Sequence, residues 1–256
     1  MATVCPAPSS NEISRKMASL PLASCTSLHR PRTAKMESGM NSPLFNRRHF
    51  TAAVLSLAAA GHALPVCAAS GARKLLVLGD SLSAEYGLAR GSGWVKLLEQ
   101  KLAQEKTKAE VVNASISGDT TSGGRSRLPA LLQKHQPSHV VIELGGNDAL
   151  RGLPLAMTQD NLQAMITQAQ GAGAKVLLLG MQMPPNYGAE MARQFAQAYA
   201  QVAQKTRCAL VPFFLQGVGD DPDPLKWFQP DRIHPNAAAQ PRMLAHVWPE
   251  LKKQLK

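Results

Sequence analysis

Four short stretches of the chain gather small polar or ionisable residues, three of them beside glycine. They are Gly79-Asp80-Ser81, the run from Asn113 to Asp119 (NASISGD), Gly145-Gly146-Asn147-Asp148, and Asp231-Arg232-Ile233-His234. Together they hold what nucleophilic acyl transfer requires. A serine hydroxyl attacks a carbonyl only when an imidazole takes its proton, and a carboxylate must fix the tautomer of that imidazole. Asp231 and His234, three apart, can present both side chains on one side of a turn. The tetrahedral intermediate also needs donors aimed at its oxyanion, each contributing about 10²–10³ in rate. Candidates are the backbone N–H groups of Ser81 and Gly118 and the neutral side-chain amide of Asn147. Asp160, Asp220, Asp221 and Asp223 are rivals for the acid, and Asp231 leads them by its proximity to His234. Asp80, Asp119 and Asp148 read as turn or cap residues, Asp148 for the segment after Asn147. His135, His139 and His246 lack carboxylates at useful spacing and read as surface or structural.

These stretches share a setting. Short apolar runs at 75–78, 111–112, 139–144, 175–179 and 209–214 have the Val, Leu and Ile content of strands buried on both faces. Between them lie helical spacings such as Trp94, Leu97, Leu98, Leu102 and Leu162, Met165, Ile166, Ala169, and 236–255 reads as a closing helix. Five strands with intervening helices imply an α/β domain, a three-layer α/β/α sandwich around a five-stranded parallel sheet with right-handed crossovers. Ligands of such sheets sit at the carboxyl ends of the strands, where the four polar stretches fall.

The blocks GDSLS, VVNASISGDTT, ELGGNDALRGL and DRIHPN, in that order, resemble the SGNH (GDSL) hydrolases, whose fold is flavodoxin-like. Within them the chain is similar to the bacterial periplasmic thioesterase, lysophospholipase and arylesterase group over nearly all of 73–250. The resemblance implies Ser81 as nucleophile, His234 as base and Asp231 as its orienter, with Ser81, Gly118 and Asn147 forming the oxyanion hole. It also implies a broad range of ester and thioester substrates. The loops after the third and fourth strands would line an acyl pocket with Leu150, Leu153, Met183 and Pro184. The acidic, Pro-rich GDDPDP loop at 219–224 is less typical and borders the expected site.

Bulk properties bound the alternatives. The formal charge is +11, but seven basic residues stand against two acidic ones before Ser70, and 21 against 15 after it. The latter are scattered, with no stripe suited to a phosphate backbone, so no nucleic-acid partner is expected. No G-x-S-x-G elbow, H-E-x-x-H, P-loop or G-x-G-x-x-G occurs, and the expected mechanism needs no metal and no cofactor. Of Cys5, Cys25, Cys67 and Cys208, three precede Ser70, so a domain of 70–256 must cohere without an internal disulfide. Cys208 reads as a buried small hydrophobe at the start of a strand.

Residues 1–69 read as an N-terminal extension ending in an export signal. Arg47-Arg48 precede an apolar stretch at 51–64, and Cys67-Ala68-Ala69 supplies the small residues of a cleavage site. Arg-Arg-His-Phe also resembles a twin-arginine signal, with Asn46 where Ser or Thr is usual. Met36 and Met40 just ahead point to a later start and an over-extended 1–39, with an organellar transit peptide as the alternative. The stretch is too short and interrupted for a stable membrane anchor. The expectation is an exported serine esterase, in the periplasm or secreted. Its rivals are a carbohydrate O-acetylesterase and a non-catalytic acyl-binding protein, and kcat/KM should rise with pH as the base loses its proton.

Overall fold

The computed structural model describes residues 73–183 and 188–256. The extension and export signal read in residues 1–69, and Pro184 of the expected acyl pocket, lie outside them. Five strands form one all-parallel sheet: β1 (Arg73–Gly79), β2 (Ala109–Asn113), β3 (His139–Glu143), β4 (Lys175–Leu179) and β5 (Ala209–Val211), in the order β2-β1-β3-β4-β5. Leu75 to Leu78 and Val140 to Ile142 are fully buried, as strands covered on both faces must be. Among the described residues the α-helices are α1 (Trp94–Gln104), α2 (Thr121–His135), the short α3 (Gly146–Leu150), α4 (Leu155–Gly171), α5 (Ala189–Thr206) and α6 (Gln240–Gln254). Packing runs from α2 to α4 to α5 in one layer, while α1 pairs with α6 in the other. The architecture is the expected three-layer, flavodoxin-like α/β fold. Among the described residues, no helix is long and apolar enough to cross a membrane.

Two boundaries differ from the sequence reading, each for a local reason. The fifth run, expected over 209–214, stops as a strand at Val211 because Pro212 has no N–H to give the ladder. The chain still follows β4, with the Phe214 N–H donating to the Gly180 carbonyl at 2.8 Å. The closing helix starts at Gln240 rather than Asn236. The Asn236 side chain accepts from the N–H groups of Ala238 (3.0 Å) and Ala239 (3.3 Å), a turn that competes with helix before α6 begins. Cys208 is half-buried and lies one residue before β5, where its N–H donates to Ala203. The strand order reverses between β1 and β3, so a crevice opens at their carboxyl ends.

Candidate active site

At the end of β1 the chain passes closely over β3. A Cβ on Gly79 would meet Glu143 Oε2 and the Ser83 side chain at 2.8 Å, so glycine is required there. Ser81 follows two residues on, half-buried, with its Oγ 2.9 Å from His234 Nε2. His234 Nδ1 lies 2.7 Å from Asp231 Oδ2. The other oxygen of Asp231 accepts from the N–H groups of Ile233 (2.9 Å) and His234 (3.0 Å). These donors, the His234 N–H foremost, hold the Asp231 carboxyl down to about 2. An ionised carboxylate only accepts, so the proton sits on Nδ1 and Nε2 is left to accept from the Ser81 hydroxyl. The turn that carries the pair is closed by the Gln229 N–H donating to His234 O at 2.8 Å, and the Tyr86 ring packs on the imidazole at 4.3 Å between centroids.

The candidate oxyanion donors come from two other strand ends. The loop after β2 is strapped to β1 by the Ala114 N–H on Val77 O (2.9 Å) and the Ile116 N–H on Gly79 O (3.0 Å). Arg127 secures it further, paired with Asp119 at 2.8 Å and donating to the Ala114 carbonyl. Gly118 sits there at φ +78°, left-handed backbone that suits glycine. Its carbonyl accepts from Arg151 Nη2 at 2.8 Å, while its N–H and that of Ser81 meet no acceptor among the described residues. Asn147, in the first turn of α3, donates from Nδ2 to Asp80 Oδ2 at 3.0 Å. Asp80 is buried, and burial pushes its carboxyl up to about 6 despite the donors Leu82 N–H and Asn147. Beneath it Glu143 accepts from Ser83 Oγ (2.7 Å) and the Asp80 N–H (3.3 Å), and full burial raises its carboxyl well above the usual range, helped by the Asp80 charge.

Two cavities open among the segments that follow β3 and β4, the larger of them reaching Ile233, next to His234. The larger, about 510 Å³, runs from Gly146 past Met181, Phe213 and Phe228 to Arg232 and Ile233. The other, about 490 Å³, includes Leu153, Pro154 and Met191. Ala149, Leu150, Met183 and Phe195 line both, so the two are neighbours across an apolar divide.

A profile of the GDSL-like Lipase/Acylhydrolase family matches residues 77–241, from β1 into α6. The chain belongs to that family. The Esterase TesA of Pseudomonas aeruginosa is 55% identical over 184 residues, which is 72% of this chain and 90% of that relative. The Thioesterase 1/protease 1/lysophospholipase L1 of Escherichia coli K12 is 44% identical over 68% of this chain and 80% of its own length. Among solved structures, the psychrotrophic esterase EstA from Pseudoalteromonas sp., inhibited by monoethylphosphonate, superimposes with a TM-score of 0.67 at 40% identity, covering 72% of this chain and 98% of that one. The chain is accordingly a hydrolase of ester bonds, of the serine esterase/thioesterase kind.

In this GDSL-like hydrolase the structure brings Ser81, His234 and Asp231 into one hydrogen-bonded chain. Of the acyl-pocket residues, Leu150 and Met183 line both cavities and Leu153 lines one. Asp148 is buried and caps a different helix from the one expected. Its carboxylate accepts from the Thr121 N–H (2.9 Å), from the Thr121 hydroxyl and from Thr158 Oγ1 (3.2 Å), tying the start of α2 to α3 and α4. Asp221 of the acidic loop is held well below the usual carboxylate range, by the Asp223 N–H foremost and by Trp227 and Lys226, and the neighbouring Gly219, Asp220 and Pro224 do border the larger cavity. His139 is structural as expected, buried between Ser138 Oγ and the Gln254 carbonyl. Sequence reasoning missed Glu143, Tyr86 and the aromatic lining from Phe195, Phe213 and Phe228; the apolar residues just ahead of DRIHPN were the available signal for the last.

Proposed function

We propose that the protein hydrolyses acyl esters and thioesters through an acyl-Ser81 intermediate. The single observation that carries this is the chain of hydrogen bonds from Ser81 Oγ to His234 to an ionised Asp231. Ser81 Oγ attacks the acyl carbon as its proton passes to His234 Nε2. Asp231 steadies the imidazolium, and the N–H groups of Ser81 and Gly118 with the Asn147 amide receive the oxyanion. When the intermediate collapses, His234 gives the proton to the departing alcohol or thiol. A water then attacks the acyl-enzyme, losing its proton to His234, and the carboxylic acid leaves as Ser81 recovers its hydroxyl.

The substrate class follows from the cavities. A space of about 510 Å³ lined by Leu, Met and Phe side chains suits an alkyl or aryl acyl group of medium length, whereas an acetyl group on a carbohydrate would leave it empty. We further read the enzyme as exported, on the strength of Arg47-Arg48, the apolar stretch at 51–64 and the Cys67-Ala68-Ala69 site. The catalytic domain then spans 70–256, and the partner it requires is a small acyl ester or thioester.

Hydrolysis of p-nitrophenyl esters from acetyl to dodecanoyl by the wild type and Ser81→Ala tests this reading. The expected result is a maximum at medium chains, with at least about 10³-fold loss in the variant. Activity confined to acetyl esters and lost in the variant would instead favour the carbohydrate acetylesterase. Activity retained in Ser81→Ala would overturn the acyl-serine mechanism.

A further inference from the structure

We propose that Asp80 is a positioning residue that orients the Asn147 carboxamide, so that an N–H rather than the carbonyl oxygen faces the oxyanion. The inference rests on the reading of Asn147 as an oxyanion donor. A carboxamide is nearly symmetric in shape, and its two flips differ only in whether nitrogen or oxygen occupies a given place. What selects the flip is the group it meets, and here that group is the carboxylate of Asp80, 3.0 Å from Nδ2. In its ionised form the carboxylate only accepts, so it engages one N–H of Nδ2 and leaves the second N–H of the same nitrogen for the oxyanion. The opposite flip would set Oδ1 against a carboxylate oxygen, two acceptors face to face in a buried place.

Asp80 is itself fixed. Its Oδ1 accepts from the Leu82 N–H at 3.0 Å, and its own N–H donates to Glu143 Oε2 at 3.3 Å. Because it immediately precedes Ser81, it sets the Asn147 donor in register with the hydroxyl that attacks and with the Ser81 N–H. The titratable groups facing Asp80 are Glu143 from β3, His234 from its turn, Asp119 from the loop after β2 and Tyr199 from α5. As burial raises its carboxyl to about 6, Asp80 becomes an acid at lower pH and can then donate to Oδ1, which permits the unproductive flip.

The decisive substitution is Asp80→Asn. The Leu82 N–H keeps the new amide oxygen on its side, which turns the new NH2 toward Asn147 and forces Oδ1 inward. kcat and KM on p-nitrophenyl butyrate, with a thermal melt for each protein, are measured for wild type, Asp80→Asn, Asn147→Ala and the double variant. Asn147→Ala is expected to lower kcat by about 10²–10³. Asp80→Asn is expected to lower kcat by about tenfold or more with KM within about twofold, and to add nothing on the Asn147→Ala background. A wild-type kcat in Asp80→Asn, or a loss that multiplies in full in the double variant, would overturn the positioning role while leaving Asn147 as a donor. If Asn147→Ala keeps wild-type kcat, the oxyanion reading fails and the proposal fails with it. Should Asp80→Asn melt before assay, Asp80→Ser enters the same cycle: it removes the tie without forcing the flip, and its loss must likewise vanish beside Asn147→Ala.

Discussion

Asp231 and Asp80 flank the same Ser81–His234 pair, and each accepts from backbone N–H and from a side chain of the site, yet their carboxyls are driven in opposite directions. Asp231, on a turn, is 36% exposed in its side chain and sits at about 2. Asp80, at the end of a core strand, is 3% exposed and sits at about 6. At Asp231 the His234 N–H is the foremost influence, whereas at Asp80 desolvation outweighs the donors; a second buried carboxyl, Glu143, lies directly beneath Asp80. The lesson concerns division of labour. The carboxylate that must stay charged while an imidazolium forms is built on an exposed turn with converging donors. The one that aligns a neutral amide is buried, where its own charge is held less firmly.

The hardest strain on this comparison comes from Asp231→Asn. The Ile233 and His234 N–H groups hold the side-chain oxygen, so the new NH2 faces Nδ1 of the imidazole. That nitrogen must then accept, its proton moves to Nε2, and the base can no longer take the Ser81 proton. kcat should fall by about 10³–10⁴, read by ester hydrolysis. A loss below about tenfold would mean that the exposed carboxylate is dispensable and that the two aspartates do not divide the work as argued.

How much of each region the sequence reveals also separates them. Ser81, His234 and Asp231 are legible because the chemistry demands those residue types and because Asp231 and His234 are neighbours in one turn. The sheet is legible because doubly buried strands read as unbroken apolar runs. Glu143 is not, since it stands at the end of such a run and looks like a strand terminus. Its meaning comes from the register that sets it beside Gly79, between strands more than sixty residues apart. Asp148 looks like a cap for its own short helix because the neighbour it serves, Thr121, is 27 residues away. Phe195 and Phe213 reach the cavity only through the packing of α5 and the chain after β5, which no local pattern records. Pro212 and Asn236, by contrast, carried visible local signals for where β5 stops and α6 begins.

Asp148 extends the buried side of the comparison. Removing its carboxylate as Asp148→Ala leaves the Thr121 N–H, the Thr121 hydroxyl and the Thr158 hydroxyl without their acceptor in the interior. Unfolding free energy should drop by about 3 kcal/mol in a urea titration. A drop below about 1 kcal/mol would show that the buried carboxylates do not hold the strand ends together, and that burial alone does not distinguish the two regions.

The finest test is the pH dependence of stability, because the two regions contribute with opposite sign. A carboxyl raised by folding binds its proton more tightly in the native state, so its stabilisation is full below the unfolded value and is lost as pH rises through the folded one. Asp80 follows that rule between about 4 and 6, and Glu143 continues it to higher pH. Asp231 does the reverse: its contribution is present above about 4 and disappears as pH falls toward 2. Glu143→Gln retains an oxygen for Ser83 and the Asp80 N–H and removes the titrating group. Relative to wild type its melting temperature should therefore gain a few degrees as pH is raised from about 4.5 to 8. An unchanged difference across that range would mean that Glu143 does not exchange a proton on unfolding. Burial would then act on Asp80 alone, and the contrast with Asp231 would rest on a single carboxyl rather than on a buried pair.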